Sequence, residues 1–220
     1  PFTISKHRNH QTVTLDDLVA IEEPLEIRIE GRSIAVLMRQ PHRIEDLELV
    51  TGFLLTEGVI EDKEDIHAIQ HITDPADPKY NTVDVILASG VPAKRRHSAD
   101  RHLFASSSCG ICGKATQDRI WQHFSPLPDL QTLPSDAWIC QTPTVMRKAQ
   151  QQFSQTGGTH AAALFTQNED LLILREDVGR HNAVDKVIGS TFLSEEYPLT
   201  DHVLVVSGRV SYEIVAKALR

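Results

Sequence analysis

Apolar and polar positions alternate along residues 24–39. Leu25, Ile27 and Ile29 are separated by Glu26, Arg28 and Glu30, Gly31 breaks the run, and residues 34–38 return the pattern. A period of two broken by glycine predicts a β-hairpin. The period then changes. Leu47, Val50, Phe53 and Leu54 recur three and four apart, with Gly58 beyond them, so residues 44–60 read as a helix. Short strands are expected at 65–72 and 82–88, on either side of the turn-forming Asp74-Pro75-Ala76-Asp77-Pro78. Residues 92–108 carry no clear period and read as a mobile connector.

Beyond residue 114 strands and helices alternate. A helix over 115–124 is succeeded by a loop through Pro126, Pro128 and Pro134. A second helix, 144–155, is expected to be capped by Thr142 with Pro143 at its first position, and Thr156-Gly157-Gly158 ends it. Strands are expected at 159–165 and 171–175, then a helix over 178–192, a buried strand at 202–206 and a helix over 211–220. This order predicts a layered α/β fold. The chain stops inside the last helix without a Gly or Asn cap, which reads as a portion of something longer.

Composition narrows the class. Of 220 residues 40% are hydrophobic and 24% charged, as in ordinary globular proteins. No apolar run approaches the roughly 20 residues of a membrane span, and residues 1–10 lack a signal-peptide apolar region. The net charge of −8 argues against long nucleic acid as a partner. Positive charge is nonetheless concentrated in Lys94, Arg95, Arg96, His97, Arg101 and His102. That run is either a solvated loop or an electropositive approach to the adjoining cysteine loop.

The cysteine loop, Ser108-Cys109-Gly110-Ile111-Cys112-Gly113-Lys114, holds two of the chain's three cysteines. Its glycines permit a tight turn that exposes both sulfurs. Such a loop holds a metal, cycles a disulfide or carries sulfur as a persulfide. A structural zinc site needs a second ligand pair, and the chain has none. A zinc deaminase needs His-x-Glu, whereas here His160 precedes Ala161-Ala162. A thioredoxin-like motif would sit early, after a first strand. Sulfur carriage remains, and three cysteines that cannot all pair suit a reducing cytoplasm. The third, Cys140, reads as a core residue beside Trp138 and Ile139.

Three loops at strand–helix junctions complete the candidate chemistry: 156–160, 175–186 and 206–213. Helix starts present free N–H groups to anions, and Arg180, His181, Lys186 and Arg209 would add charge there, beside Ser207 and Gly208. Each has a plainer reading. Asp177 is a natural N-cap, Arg180 and Lys186 can pair with Asp177 or Asp185 on a solvated face, Ser207-Gly208 can be a plain turn, and His160 can be an interior histidine. Together the loops favour an anion site.

The set Ser107-Ser108-Cys109-Gly110-Ile111-Cys112-Gly113-Lys114, Thr156-Gly157-Gly158-Thr159-His160-Ala161-Ala162-Ala163-Leu164, Asp177-Val178-Gly179-Arg180-His181-Asn182-Ala183-Val184-Asp185-Lys186 and Ser207-Gly208-Arg209-Val210-Ser211 resembles the FdhD/NarQ family of formate dehydrogenase accessory sulfurtransferases. Thr51-Gly52-Phe53-Leu54-Leu55-Thr56-Glu57-Gly58 looks like that family's early helix. The resemblance implies a cytidine deaminase-like α/β core, residues 106–220, preceded by a smaller α+β domain, 1–105, in a cytoplasmic homodimer. It implies that sulfur passes from a cysteine desulfurase to Cys109, with Cys112 assisting. The acceptor is the molybdenum or tungsten of a bis(guanine dinucleotide) pterin cofactor destined for formate dehydrogenase. That cofactor is expected as a substrate, with His160, Arg180, His181, Lys186, Ser207, Gly208 and Arg209 as the candidates to hold it, and no resident metal or cofactor is expected. A further strand–helix–strand segment in the family contributes to nucleotide binding. The rival expectation is a chaperone that binds the cofactor and docks formate dehydrogenase without moving sulfur.

Overall fold

The structure, a computed structural model, describes residues 1–73, 79–98, 134–195 and 198–220. The alternation at 24–39 becomes β3 (Glu23–Ile29) and β4 (Arg32–Arg39), joined through Glu30 and Gly31 at φ 51° and 79°. Two central residues at positive φ match the right-handed twist of a hairpin. The same device closes a hairpin that the apolar pattern does not predict. There β1 (Phe2–Arg8) and β2 (Gln11–Asp17) turn through Asn9 and His10 at φ 49° and 63°. Its apolar side chains are few and remain largely exposed, so its alternation is faint.

With β5 (Ile66–His71) and β6 (Thr82–Leu87), the second hairpin forms a four-stranded sheet in the order β4-β3-β6-β5. Leu25, Ile27, Val83 and Val85 on its inner face are wholly buried. They meet α1 (Arg43–Thr56), in which Asp46 and every residue from Glu48 onward are buried. A helix buried on all sides has neighbours on two faces, and the second neighbour is α5 (Arg180–Leu193). The two approach through glycines. A Cβ at Gly52 would lie 1.9 Å from the Asp185 carbonyl oxygen, and one at Gly189 1.9 Å from that of Glu48.

On the far side of α5 lies a sheet in the order β8-β7-β9, formed by β7 (His160–Thr166), β8 (Leu171–Asp177) and β9 (His202–Val206). Ala162 and Leu164 point to α5, while Ala161, Ala163 and Phe165 point to α3 (Asp136–Ala149). Trp138 of α3 packs edge-on to Phe165, with ring centroids 5.6 Å apart. The layers are therefore sheet, α1 with α5, sheet, α3. One hydrophobic cluster runs from Leu25 to Ile214, so residues on either side of position 105 share a core. The boundary itself falls outside the described residues.

Several expectations are corrected. The helix expected at 144–155 starts at Asp136, capped by Ser135, whose hydroxyl accepts from Trp138 N–H at 3.2 Å. Pro143 lies inside it. Its missing N–H leaves the Ile139 carbonyl free, and the Thr142 hydroxyl donates to that oxygen at 2.9 Å. Thr142 is thus a repair within a helix and does not start one. The short α4 (Gln151–Thr156) comes next and ends at Gly157 with φ 65°. Cys140 is exposed, because Trp138, Thr142 and Met146 occupy the inward face at four-residue intervals. Strand β9 is half-buried, as an edge strand is. The supposed connector begins with α2 (Ala93–Ser98), pinned by Arg95 to Asp65 at 2.7 Å and by Arg96 to Glu30 and the Ala88 carbonyl. The expected helix at 115–124 and the loop at Pro126 and Pro128 lie outside the described residues. So do Lys114, Arg101 and His102.

Candidate functional site

Antiparallel pairing of β7 with both β8 and β9 brings one end of the sheet together. His160 at the start of β7 lies opposite Asp177 at the end of β8, and Val206 at the end of β9 pairs with Ala162. The loops after β8 and β9 therefore flank the residue that opens β7. Ser207 extends the ladder. Its N–H donates to the Ala161 carbonyl at 2.9 Å, and its hydroxyl accepts from Ala161 N–H at 2.8 Å. Gly208 then runs against two side chains. A methyl group there would lie 3.2 Å from Arg180 Cδ and 3.6 Å from His160 Nδ1. Four of the expected residues, His160, Arg180, Ser207 and Gly208, thus meet at one rim, with Arg209 exposed beside them.

His181 adjoins this rim without adding charge. Burial lowers its pKa from 6.5 to about 4, helped by the Arg180 and Lys217 cations and opposed by Glu213. At neutral pH it is an uncharged imidazole, which corrects the expectation of a cation. Its Nε2 is buried with no hydrogen-bond partner among the described residues, as are Ser211 Oγ and Glu213 Oε1. Buried polar atoms are ordinarily satisfied, so three such atoms at the start of α6 (Tyr212–Ala218) and the first turn of α5 are polar capacity that a ligand can use. The motifs alone assign no role to Glu213 or Ser211. The available signal is a four-residue step from Glu213 to Lys217 on the buried face of a short helix.

Lys186 does not join the rim. It has no exposed surface, and its ammonium meets Asp177 Oδ2 at 2.8 Å, Glu45 Oε2 at 3.1 Å and the Glu176 carbonyl at 3.1 Å. An ammonium held by three oxygens inside the protein does not reach a ligand's phosphate, which corrects that expectation. Glu176 is equally committed, accepting from Gln152 N–H, Phe153 N–H and the Thr159 hydroxyl. Nearby, Lys217 Nζ binds both oxygens of buried Asp185 at 2.8 and 2.9 Å and the Thr56 hydroxyl at 2.8 Å. Burial raises the Asp185 carboxyl, and Lys217 works against that rise. Cys109 and Cys112 lie outside the described residues. Among those described, no three His, Cys, Asp or Glu side chains are grouped to hold a metal ion, and no helix is long and apolar enough to cross a membrane.

A model of the FdhD/NarQ family matches residues 20–220. The sulfur carrier protein FdhD of Mycolicibacterium paratuberculosis is 43% identical over 214 residues, covering 95% of this chain and 77% of the relative. The sulfur carrier protein FdhD of Sulfolobus acidocaldarius is 39% identical over 217 residues, covering 99% and 79%. A crystal structure of a candidate formate dehydrogenase accessory protein from Desulfotalea psychrophila superposes with a TM-score of 0.67. It is 26% identical, and the match covers 99% of this chain and 76% of that one.

Proposed function

The chain belongs to the FdhD/NarQ family, and from that premise we propose that it is a sulfur carrier in the maturation of formate dehydrogenase. The relatives that share about two-fifths of its residues are sulfur carrier proteins, and the sequence of this chain has two cysteines three positions apart with a glycine after each. That pairing of kinship and chemistry carries the reading. Cys109 attacks the outer sulfur of a cysteine desulfurase persulfide. One sulfur–sulfur bond forms as another breaks, and the desulfurase cysteine leaves as thiolate, so the step is redox-neutral. Neighbouring positive charge such as Lys114 favours the thiolate that attacks. Cys112 assists release.

The acceptor is the molybdenum or tungsten of a bis(guanine dinucleotide) pterin cofactor, bound as substrate. Arg180 and Arg209 meet its phosphates, with His160, His181, Ser207 and Gly208 shaping the contact. The three buried, unsatisfied atoms of His181, Ser211 and Glu213 support a polar ligand at this rim. The fold around it takes the cytidine deaminase-like layering, and the protein works as a cytoplasmic homodimer.

The test is mass spectrometry of the chain after incubation with a cysteine desulfurase and cysteine. A one-sulfur mass increase that disappears in Cys109→Ala is expected. No increase, with guanine-nucleotide binding retained, would leave a cofactor-holding chaperone. Stoichiometric zinc, or a reversible Cys109–Cys112 disulfide without sulfane sulfur, would replace the reading altogether.

A further inference from the structure

Between the interior charges and the rim stands Asp177, the last residue of β8, which has no exposed surface. Its carboxylate takes four donors. Oδ1 accepts from Gly179 N–H at 2.9 Å and from Asn182 Nδ2 at 2.8 Å, and Oδ2 accepts from Gln40 N–H at 3.1 Å and pairs with Lys186 at 2.8 Å. Asn182 Nδ2 also lies 2.8 Å from the Met38 carbonyl. One side chain thus ties the turn before α5, the first and second turns of α5, and the end of β4. Lys186 carries the tie on to Glu45 of α1. Arg180 and His181 sit inside this knot, between Gly179 and Asn182, and gain their direction from it.

We infer that Asp177 and Lys186 are positioning residues for ligand binding. Through Gly179 and Asn182 they fix the loop that presents Arg180 and His181. This rests on the reading of the rim as a phosphate site. Neither residue has surface with which to touch a ligand, so their effect passes through the loop. A second ion pair, less deeply buried, provides the contrast. Arg175 on β8 binds Glu48 of α1 through two bonds of 2.6 and 2.7 Å, joins the same two parts of the molecule, and holds nothing in the loop. An ion pair that only braces the fold would behave like Glu48–Arg175. One that positions the loop would change binding as well as stability.

The experiment compares Asp177→Asn with Glu48→Gln in the full chain, using guanosine diphosphate and pyrophosphate as probes at a temperature where circular dichroism shows each variant folded. Asparagine keeps one acceptor, which the buried Lys186 ammonium claims, and turns its amide nitrogen toward Gly179 N–H and Asn182. Binding of both probes should weaken at least about tenfold in Asp177→Asn and stay within about twofold of wild type in Glu48→Gln. Exchange of the Gly179 amide hydrogen, measured without ligand, should accelerate in the first variant only. Where Asp177→Asn does not fold, Asp177→Ala with Lys186→Met removes the acceptor of Gly179 N–H together with the otherwise uncompensated buried ammonium, and the same two readings are taken. Equal binding losses in the two variants, or an unchanged Gly179 amide, would overturn the inference. Wild-type protein that binds neither probe would overturn the phosphate reading instead, and the Gly179 exchange would still decide whether Asp177 sets the loop.

Discussion

The first turn of α5 carries Arg180 and His181, and the next carries Asp185 and Lys186. Both turns hold one basic side chain beside a second titratable one, yet they do opposite things. At the second turn the charges are sealed in. Lys186 is met by Asp177 and Glu45, and Asp185 by Lys217 and Thr56. At the first turn His181 is left neutral, and its Nε2 and the neighbouring Ser211 Oγ and Glu213 Oε1 lack hydrogen bonds among the described residues. A buried ion pair is weak support for stability, but one partner removed alone is costly. The interior pairs therefore set geometry, and the rim keeps polar capacity for something else.

The contrast breaks most completely where the helices touch. Gly52→Ala and Gly189→Ala each place a methyl 1.9 Å from a backbone carbonyl oxygen, and each should cost about 3 kcal/mol or more in urea denaturation. A small loss would mean that α1 and α5 can part easily. Lys217→Met comes next. It strands the Asp185 carboxylate, at about 3–5 kcal/mol near neutral pH. A carboxyl raised by folding above its ordinary 3.8 favours the native state in acid and loses that advantage as pH rises. The deficit of Lys217→Met should therefore shrink as pH falls toward 4, and a deficit independent of pH would contradict the burial of that charge.

Effects at the rim should be smaller on stability and larger on binding. Arg180→Ala and Arg209→Ala should each weaken guanosine diphosphate about tenfold with little change in unfolding. Unchanged affinity in both removes the anion site. His181 gives a pH signature. Its folded pKa of about 4 lies below the ordinary 6.5, so stability present above 6.5 is lost as pH falls toward 4. His181→Gln should flatten that acid limb of the unfolding free energy, and a ring titrating near 6.5 by NMR would refute it. Smallest is Cys140→Ser. An exposed helix position should change stability by under about 0.5 kcal/mol and leave sulfur transfer intact.

Much of the fold was legible because its cues are local. Alternation at Leu25, Ile27 and Ile29, helical spacing at Leu47, Val50 and Phe53, and the stop at Gly157 each act within a few residues. Pro143 misled for the same reason. Read alone it marks a helix start, and only the Thr142 hydroxyl on the Ile139 carbonyl shows how a helix runs through it. The hairpin at Phe2–Asp17 leaves no clear period in the sequence because its apolar positions are sparse and largely exposed. At the rim the motifs singled out the loops that meet, since glycine, arginine and serine cluster there in sequence. They did not separate Arg180 from Lys186, which share a motif and a charge.

The sequence by itself determined the succession β3, β4, α1, β5, β6 and the succession from β7 to α6, the two nearby cysteines and the family, all of which depend on neighbours along the chain. Only the tertiary structure decided which charges are held by partners inside the protein. Lys186 finds Glu45 141 residues away, and Asp185 finds Lys217 32 residues away. A charge is neutralised or left open by what stands within about 4 Å of it in space, and residue order does not set that distance.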